Sequence, residues 1–329
     1  MSTFIGIALL LAVAICFRMS INAAELDNMN PVAQKNKLGS LIQASIVNTP
    51  GDFYYVDSTN GADDPDYDGK SWGKAKATID AAVNLCTASH GDIIFVSPYH
   101  AENLAADSAI DIDVAGVSVI GIRLGRQMPT LTATAAAGDC KLAANNVTIK
   151  NLLFIGGFDA TTGVIEVTGN DCSILDCEYR DSTGQATDVI VTDNALRLLI
   201  DGYRHIGALA DGGDSAIMLD ECDHAVIRNF HIIGNFDVGA IECRTTASDD
   251  ILVTDGYVKT AGGEDLIVKD TITGSTGFID KITAQLKDNA ANITEAFTGA
   301  TFVYGNELYL VNLAGERAMQ CNITASTDA

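Results

Sequence analysis

Between Val147 and Leu286 the chain repeats itself, and the repeat limits its fold more than any other feature. Six times an apolar pair or triplet runs into Asn or Asp: Ile149-Lys150-Asn151, Ile174-Leu175-Asp176, Leu199-Ile200-Asp201, Ile227-Arg228-Asn229, Val253-Thr254-Asp255 and Phe278-Ile279-Asp280. The polar anchors are spaced by 25, 25, 28, 26 and 25 residues. A second ladder follows them, Ile165, Ile190, Ile217, Ile241 and Ile267, at intervals of 25, 27, 24 and 26. A period in this range marks units that bury their apolar faces only by stacking on one another. Short apolar segments such as Val147-Ile149, Leu152-Ile155 and Val164-Val167, separated by Gly, Asn, Asp and Thr, read as three strands per coil. Asn and Asp suit the turns, because a short polar side chain tolerates left-handed backbone.

Composition narrows the partners. The formal net charge is -23, from 43 acidic and 20 basic residues, so the surface repels phosphate backbones and nucleic acid is excluded as a partner class. An acidic polymer would need a local basic or metal-filled patch. Hydrophobic residues make up 47%, enough for a long core rather than a disordered chain. The eight cysteines, Cys16, Cys86, Cys140, Cys172, Cys177, Cys222, Cys243 and Cys321, contain no CxxC pair. They read as buried thiols filling a core.

The uncharged run Phe4–Phe17 has 14 residues, short for a membrane span and suited to a signal-peptide core. A short anchor or a mis-assigned start at Met19 or Met29 fits it as well. Residues 1–24 therefore form an apolar segment, 25–50 a polar linker or attachment arm, 51–98 an N-terminal cap, 99–287 the coils and 288–329 a closure. Within the cap, Phe53-Tyr54-Tyr55-Val56 reads as a strand, and Asp57–Gly69 as an acidic loop. Ile79, Ala82, Val83, Leu85 and Cys86 give a short amphipathic helix over Ala75–Cys86. A hairpin is expected around Gly305-Asn306.

Several cap residues carry a family resemblance: Tyr55-Val56-Asp57, Gly61, Asp68-Gly69, Ser71-Trp72, Thr78-Ile79, Ala81-Ala82-Val83, Gly91-Asp92 and Val96-Ser97-Pro98. The stretch resembles the start of right-handed parallel β-helix proteins of the pectin-lyase-like class. Pro98–Leu104, Val114–Gly121 and Ala314–Met319 are similar to virion-associated β-helices of tailed phages. The resemblance implies an all-β, right-handed parallel β-helix with three-strand coils of about 25 residues and an N-terminal helical cap. It further implies a virion or cell-surface location, other virion proteins or cell-surface polysaccharide as partners, and a homotrimer.

Two places offer chemistry. Asp64, Asp66 and Asp68, followed by Gly69, match a DxDxDG pattern that wraps a hard cation in oxygen ligands. Calcium is therefore the one cofactor this chain suggests. The acid expected at the twelfth loop position is missing, since Ala75 stands there; a solvated acidic loop is the competing reading. Further on, Asp214, Asp220, Glu221, Asp223, Asp237 and Glu242 crowd two consecutive coils. Carboxylates on neighbouring rungs fall at separations glycosidases use, so Asp214, Asp220, Glu221, Asp223 and Glu242 are the catalytic candidates. The ladder acids Asp176 and Asp201, equivalent by spacing, are assigned to turns instead. The five histidines show no metal spacing, and Tyr179, Tyr203 and Tyr257 read as stacking residues. The vWiDH and RxPxxR signatures of pectate lyases are absent. Gly213-Asp214-Ser215 offers one Asp where polygalacturonases carry two. Fold alone confers no activity. The expected function is thus a structural or adhesive rod, with a polysaccharide lyase or hydrolase and an exported carbohydrate-binding module as alternatives.

Overall fold

The computed structural model describes residues 49–181, 186–208, 213–263, 268–272, 274–286, 297–298, 301–304, 308–312 and 317–321. The apolar run at 4–17, nearly all of the arm at 25–50 and Ile267 lie outside the described residues. From Gly51 onward the chain is one unit, a parallel β-helix whose strands build three ladders.

Ladder A stacks Phe53–Val56, Ile93–Val96, Ser118–Gly121, Thr148–Lys150, Ser173–Leu175, Leu199–Asp201 and Val226–Arg228. The first halves of Ile251–Gly263 and Thr276–Leu286 continue it. Ladder B begins with Ala101–Leu104, Thr130–Ala133, Leu153–Gly156, Glu178–Asp181 and Arg204–Ile206. It runs on through the start of His231–Cys243. Ladder C includes Cys140–Leu142, Thr161–Val167, Ala186–Thr192, Gly213–Leu219 and the end of His231–Cys243. All of these pairings are parallel, and stacked neighbours lie roughly 4.8 Å apart.

The core is a set of apolar columns. Ladder A buries Tyr54, Ile94, Val119, Ile149, Ile174, Ile200, Ile227, Val253 and Ile279 in strict register. Ladder C aligns Cys140, Ile165, Ile190, Ile217 and Ile241. The column then continues onto Val268, not Ile267. Each buried Ile contributes about 1.5–3 kcal/mol of transfer free energy, so a shift of one residue would turn a whole column to solvent. Six cysteines are free and fill core or near-core positions. Burial raises the thiol pKa of Cys177 to about 12 and that of Cys172 to about 11, which removes thiolate chemistry at neutral pH.

Two left-handed columns make the corners on either side of ladder A. Between A and B stand Asn151, Asp176, Gly202, Asn229, Asp255 and Lys281, with φ between 51° and 76°. Asp201 and Asp280, expected here from sequence, sit one residue earlier, aligned with Lys150, Leu175, Arg228 and Thr254. Asp176 and Asp201 are therefore not equivalent, because Gly202 supplies the φ > 0 residue of its coil. Two residues ahead of ladder A runs the second column: Gly91, Gly116, Asn146, Asp171, Arg197, His224 and Asp250. Its amides reach the next coil, as in Asn146 N–H to Asn170 O (2.8 Å) and His224 N–H to Asp249 O (2.7 Å).

Coil length varies, but not everywhere. Ile149 to Phe154, Ile174 to Tyr179, Ile200 to His205, Ile227 to Ile232 and Val253 to Val258 are each a step of five residues from A to B. From B to C the step is eleven at Phe154–Ile165 and nine at Ile232–Ile241. From Ile149 onward extra residues leave the solenoid at the other two corners; in the first two coils the A–B edge is longer as well, eight residues from Ile94 to Glu102 and twelve from Val119 to Leu131.

A short helix, Ile79–Val83, packs against Phe53–Val56, Ile93–Val96 and Ile110–Asp111 and buries Ile79, Ala82 and Val83. It is shorter than the span expected from sequence because Thr78 is an extended N-cap whose Oγ1 accepts the Ala81 amide at 3.2 Å. The strands flanking Gly305-Asn306 do not form the expected hairpin. Thr301–Tyr304 and Leu308–Asn312 each pair in parallel with Thr276–Leu286, and the antiparallel partner of Leu308–Asn312 is Arg317–Cys321.

Candidate functional site

The acids that crowd the sequence between 214 and 242 do not form one site. Asp220 and Asp223 stand at the corner between ladders C and A. There Asp220 Oδ1 accepts the Thr246 amide (2.9 Å), and Asp223 Oδ1 accepts the Asp249 amide (2.8 Å). In earlier coils Asn170 and Asn145 do likewise, accepting the amides of Leu196 (2.8 Å) and Asn170 (2.9 Å). Each of these side chains ties one coil to the next. Glu221 is exposed with φ 47°, and Asp237 is also exposed.

Asp214 and Glu242 do come together, through a residue that spacing alone did not single out. Arg244 reaches Glu242 Oε1 with Nε (2.8 Å) and Glu242 Oε2 with a terminal nitrogen. Its other contacts are Asp188 Oδ2 (3.1 Å), Asp188 Oδ1 (3.3 Å) and Asp214 Oδ2 (3.5 Å). Ser215 Oγ donates to Asp188 Oδ1 at 2.6 Å. Asp188, Ser215 and Glu242 are buried, and the Arg244 side chain is 31% exposed. Burial raises the Asp188 pKa, outweighing the Ser215 hydrogen bond and the Arg244 charge. Arg244 is pushed up, first by its bond to Glu242. A hydrolase pair needs room for a sugar between its carboxyl groups; here a guanidinium occupies that space. The cluster clamps three coils; the crowding of Asp214 and Glu242 and the one-coil separation of Asp188 and Ser215 were its traces in the sequence.

A second acidic group, absent from the sequence-based candidates, lies earlier on ladder C. Asp107, Asp139 and Glu166 each bring a carboxylate oxygen within 4.8 Å of the others. Lys141 Nζ binds Glu166 Oε1 at 2.8 Å, and Asp139 accepts the Ser108 amide. Burial and the neighbouring Glu166 raise Asp139 to about 6. At 3% exposure Asp139 is closed to a polymeric substrate. The other such group among the described residues is Asp52, His90 and Asp92. Asp92 there accepts the amides of Asp52 (2.6 Å) and Thr87 (2.7 Å) and contacts His90 (2.7 Å).

Asp64, Asp66 and Asp68 belong to neither group. Asp64 Oδ1 accepts the Asp66 amide (2.9 Å) and Asp68 Oδ1 the Lys70 amide (3.1 Å), as loop-closing acids do. The neighbouring Asp63 anchors the helix, accepting from Ala77 N (2.7 Å) and Thr78 Oγ1 (2.9 Å).

The aromatic residues resolve into separate roles. Tyr179 and His205 occupy the inward column of ladder B, with Phe154 before them and Ile232 after. The Tyr179 and His205 rings are 5.0 Å apart, and Phe236 lies 5.3 Å from His205. Burial lowers the His205 pKa to about 3. Beside this stack a cavity of about 10 Å³, room for about one water, is lined by Asp181, His205, Ser215, Asn235 and their neighbours. Tyr203 belongs to the adjacent corner, and Tyr257 faces outward against His231 (4.8 Å, 18° between planes). The three tyrosines do not make one ladder.

No family model matches the chain, and no curated protein does. Among solved structures, a rhamnogalacturonan lyase is similar with a TM-score of 0.44 and 14% identity, covering 72% of this chain and 69% of its own. The fold assignment stands on the strand register, without recourse to this likeness.

Proposed function

We propose that this chain is a structural or adhesive rod, a component of a tailed-phage particle that presents its outer faces to host or cell-surface carbohydrate. One observation carries the reading. Four of the six crowded acids, Asp214, Asp220, Asp223 and Glu242, are engaged in holding coils together, either at corner amides or around Arg244. In this reading the coils wind right-handed, the sense that L-residues impose on parallel crossovers. The helix Ile79–Val83 and its acidic loop close the N-terminal end as a cap. The arm at 25–50 attaches the rod, which assembles as a homotrimer in the virion or at a cell surface.

The test pairs two measurements. Purified particles should contain the chain as a stoichiometric component, and the isolated protein should retain polysaccharides without releasing reducing ends or unsaturated products. Product release that disappears in Asp214→Asn or Glu242→Gln would replace this reading with the lyase or hydrolase alternative.

A further inference from the structure

In a chain of formal charge -23, one outer face collects cations. The two outward columns of ladder B read Glu178, Arg204, His231, Tyr257 and Arg180, Ile206, Ile233, Lys259 in successive coils. Glu178 is the one carboxylate in these columns, and it is buried. Its Oε1 lies 2.6 Å from Arg180 Nε and 3.8 Å from Arg204. A single buried acid beneath two guanidinium groups aligns both and neutralises only one. The arginine side chains remain 44% and 51% exposed, so their outer N–H groups face solvent. Lys259 adds a third cation two coils beyond Arg204. Between them lie the half-buried aliphatic surfaces of Ile206 and Ile233 and the stacked pair His231–Tyr257. On the corner side, Asp176 and Asp255 limit the strip's width.

Three cations spread over about 14 Å suit a ligand with sparse charge. A duplex carries one negative charge per about 1.7 Å and would meet the full repulsion of the acidic surface. An extended sugar chain carries at most about one acid group per residue, and a sugar's C–H face can lie on an aromatic ring. Guanidinium forks match carboxylate and sulfate groups.

We infer that ladder B's outer face binds a stretch of extended anionic glycan, with Arg180, Arg204 and Lys259 receiving its carboxylate or sulfate groups and Tyr257 lying against a sugar ring. The inference rests on the carbohydrate-presenting reading and specifies its ligand class and its face, which is not the Arg244 face of ladder C.

Calorimetry on the full chain would use polygalacturonate, dextran sulfate, neutral dextran and a single-stranded oligonucleotide as probes. Binding of either anionic glycan, weakened about tenfold by Lys259→Glu and by added salt, is expected. The arm that binds distinguishes carboxylate from sulfate. Arg204→Gln should act in the same direction; Lys259 contacts no buried acid among the described residues, so its variant keeps the test decisive if Arg204→Gln folds poorly. Anionic binding indifferent to both variants overturns the inference, as does an oligonucleotide that binds equally well. Retention of neutral dextran alone removes the inference but leaves the carbohydrate-presenting reading. Binding of no glycan at all removes both.

Discussion

His205 gives the most exacting test of how the core is built. Its ring lies between Tyr179 and Phe236 (5.0 and 5.3 Å), and burial holds its pKa near about 3 against an ordinary 6.5. The folded chain therefore keeps the imidazole neutral at pH values where the unfolded chain protonates it. This contribution to stability is intact above 6.5 and is lost as pH falls from 6.5 towards 3. Fully expressed, the gap amounts to roughly 5 kcal/mol, and between pH 7 and pH 5 it costs about 2 kcal/mol. Asp139 acts with the opposite sign. Raised to about 6 from 3.8, it destabilises the fold increasingly as pH rises from 3.8 to about 6, and protonation relieves part of that cost between pH 7 and pH 5. Other shifted carboxyls, among them Asp188 and Asp181, titrate in the intact protein as well, so its own pH profile is a poor probe. The informative quantity is the difference between wild type and His205→Phe, which keeps an aromatic ring in the stack and removes the titration. Urea denaturation at pH 7 and pH 5 should find the variant gaining on wild type by about 2 kcal/mol at the lower pH. Loss of the Tyr203 hydroxyl contact at 3.4 Å shifts both values alike and cancels. A wild-type-to-variant gap that is the same at both pH values would refute the neutral, buried imidazole.

Other expectations follow from the clamp, the corners and the acidic loop. Arg244→Ala strands Asp188 and Glu242 as buried, uncompensated carboxylates. It should destabilise by about 3–5 kcal/mol, read by denaturant midpoint, and adding Asp188→Asn with Glu242→Gln should recover much of the loss. Gly202→Ala should cost about 1–2 kcal/mol, because φ is +76° and the new Cβ would lie 2.6 Å from Asp176 Oδ1; Asp176→Gly in the same chain should relieve the contact. Calcium and chelator should leave the melting temperature unchanged, since Asp64 and Asp68 close their own loop; a saturable rise with calcium would show that the three acids converge on an ion.

The apolar columns were legible because the pleat demands strict alternation and each coil restates it. Ile165, Ile190, Ile217 and Ile241 stand in the register their spacing predicts. Polar positions were less legible. Asp201 resembles Asp176 in its local sequence, yet Gly202 takes the left-handed residue, and a glycine leaves no mark in an acid-based pattern. The spacing also pointed to Ile267, whereas the described partner of Ile241 is Val268. The Arg244 cluster was only half legible because its members come from three coils: one-dimensional crowding drew attention to Asp214 and Glu242 together with Asp220 and Asp223, and left out Asp188 and Arg244. The cationic strip was masked by the total charge: Arg180, Arg204 and Lys259 look scattered until the register lays them along one face.

The step of five between ladders A and B, constant from Ile149 onward, has a practical meaning for how such a rod changes length. With that edge fixed, the coil behaves as an exchangeable cassette. Joining Asn151 directly to Cys177 removes one period, Leu152–Asp176, while Ile149 still leads by five residues to Tyr179. The truncated chain keeps a left-handed residue at the junction and shortens by about 4.8 Å. From Ile149 onward the A–B edge thus acts as a ruler for rod length, while chain lengthening at the other two corners remodels the flanks without altering the count of rungs.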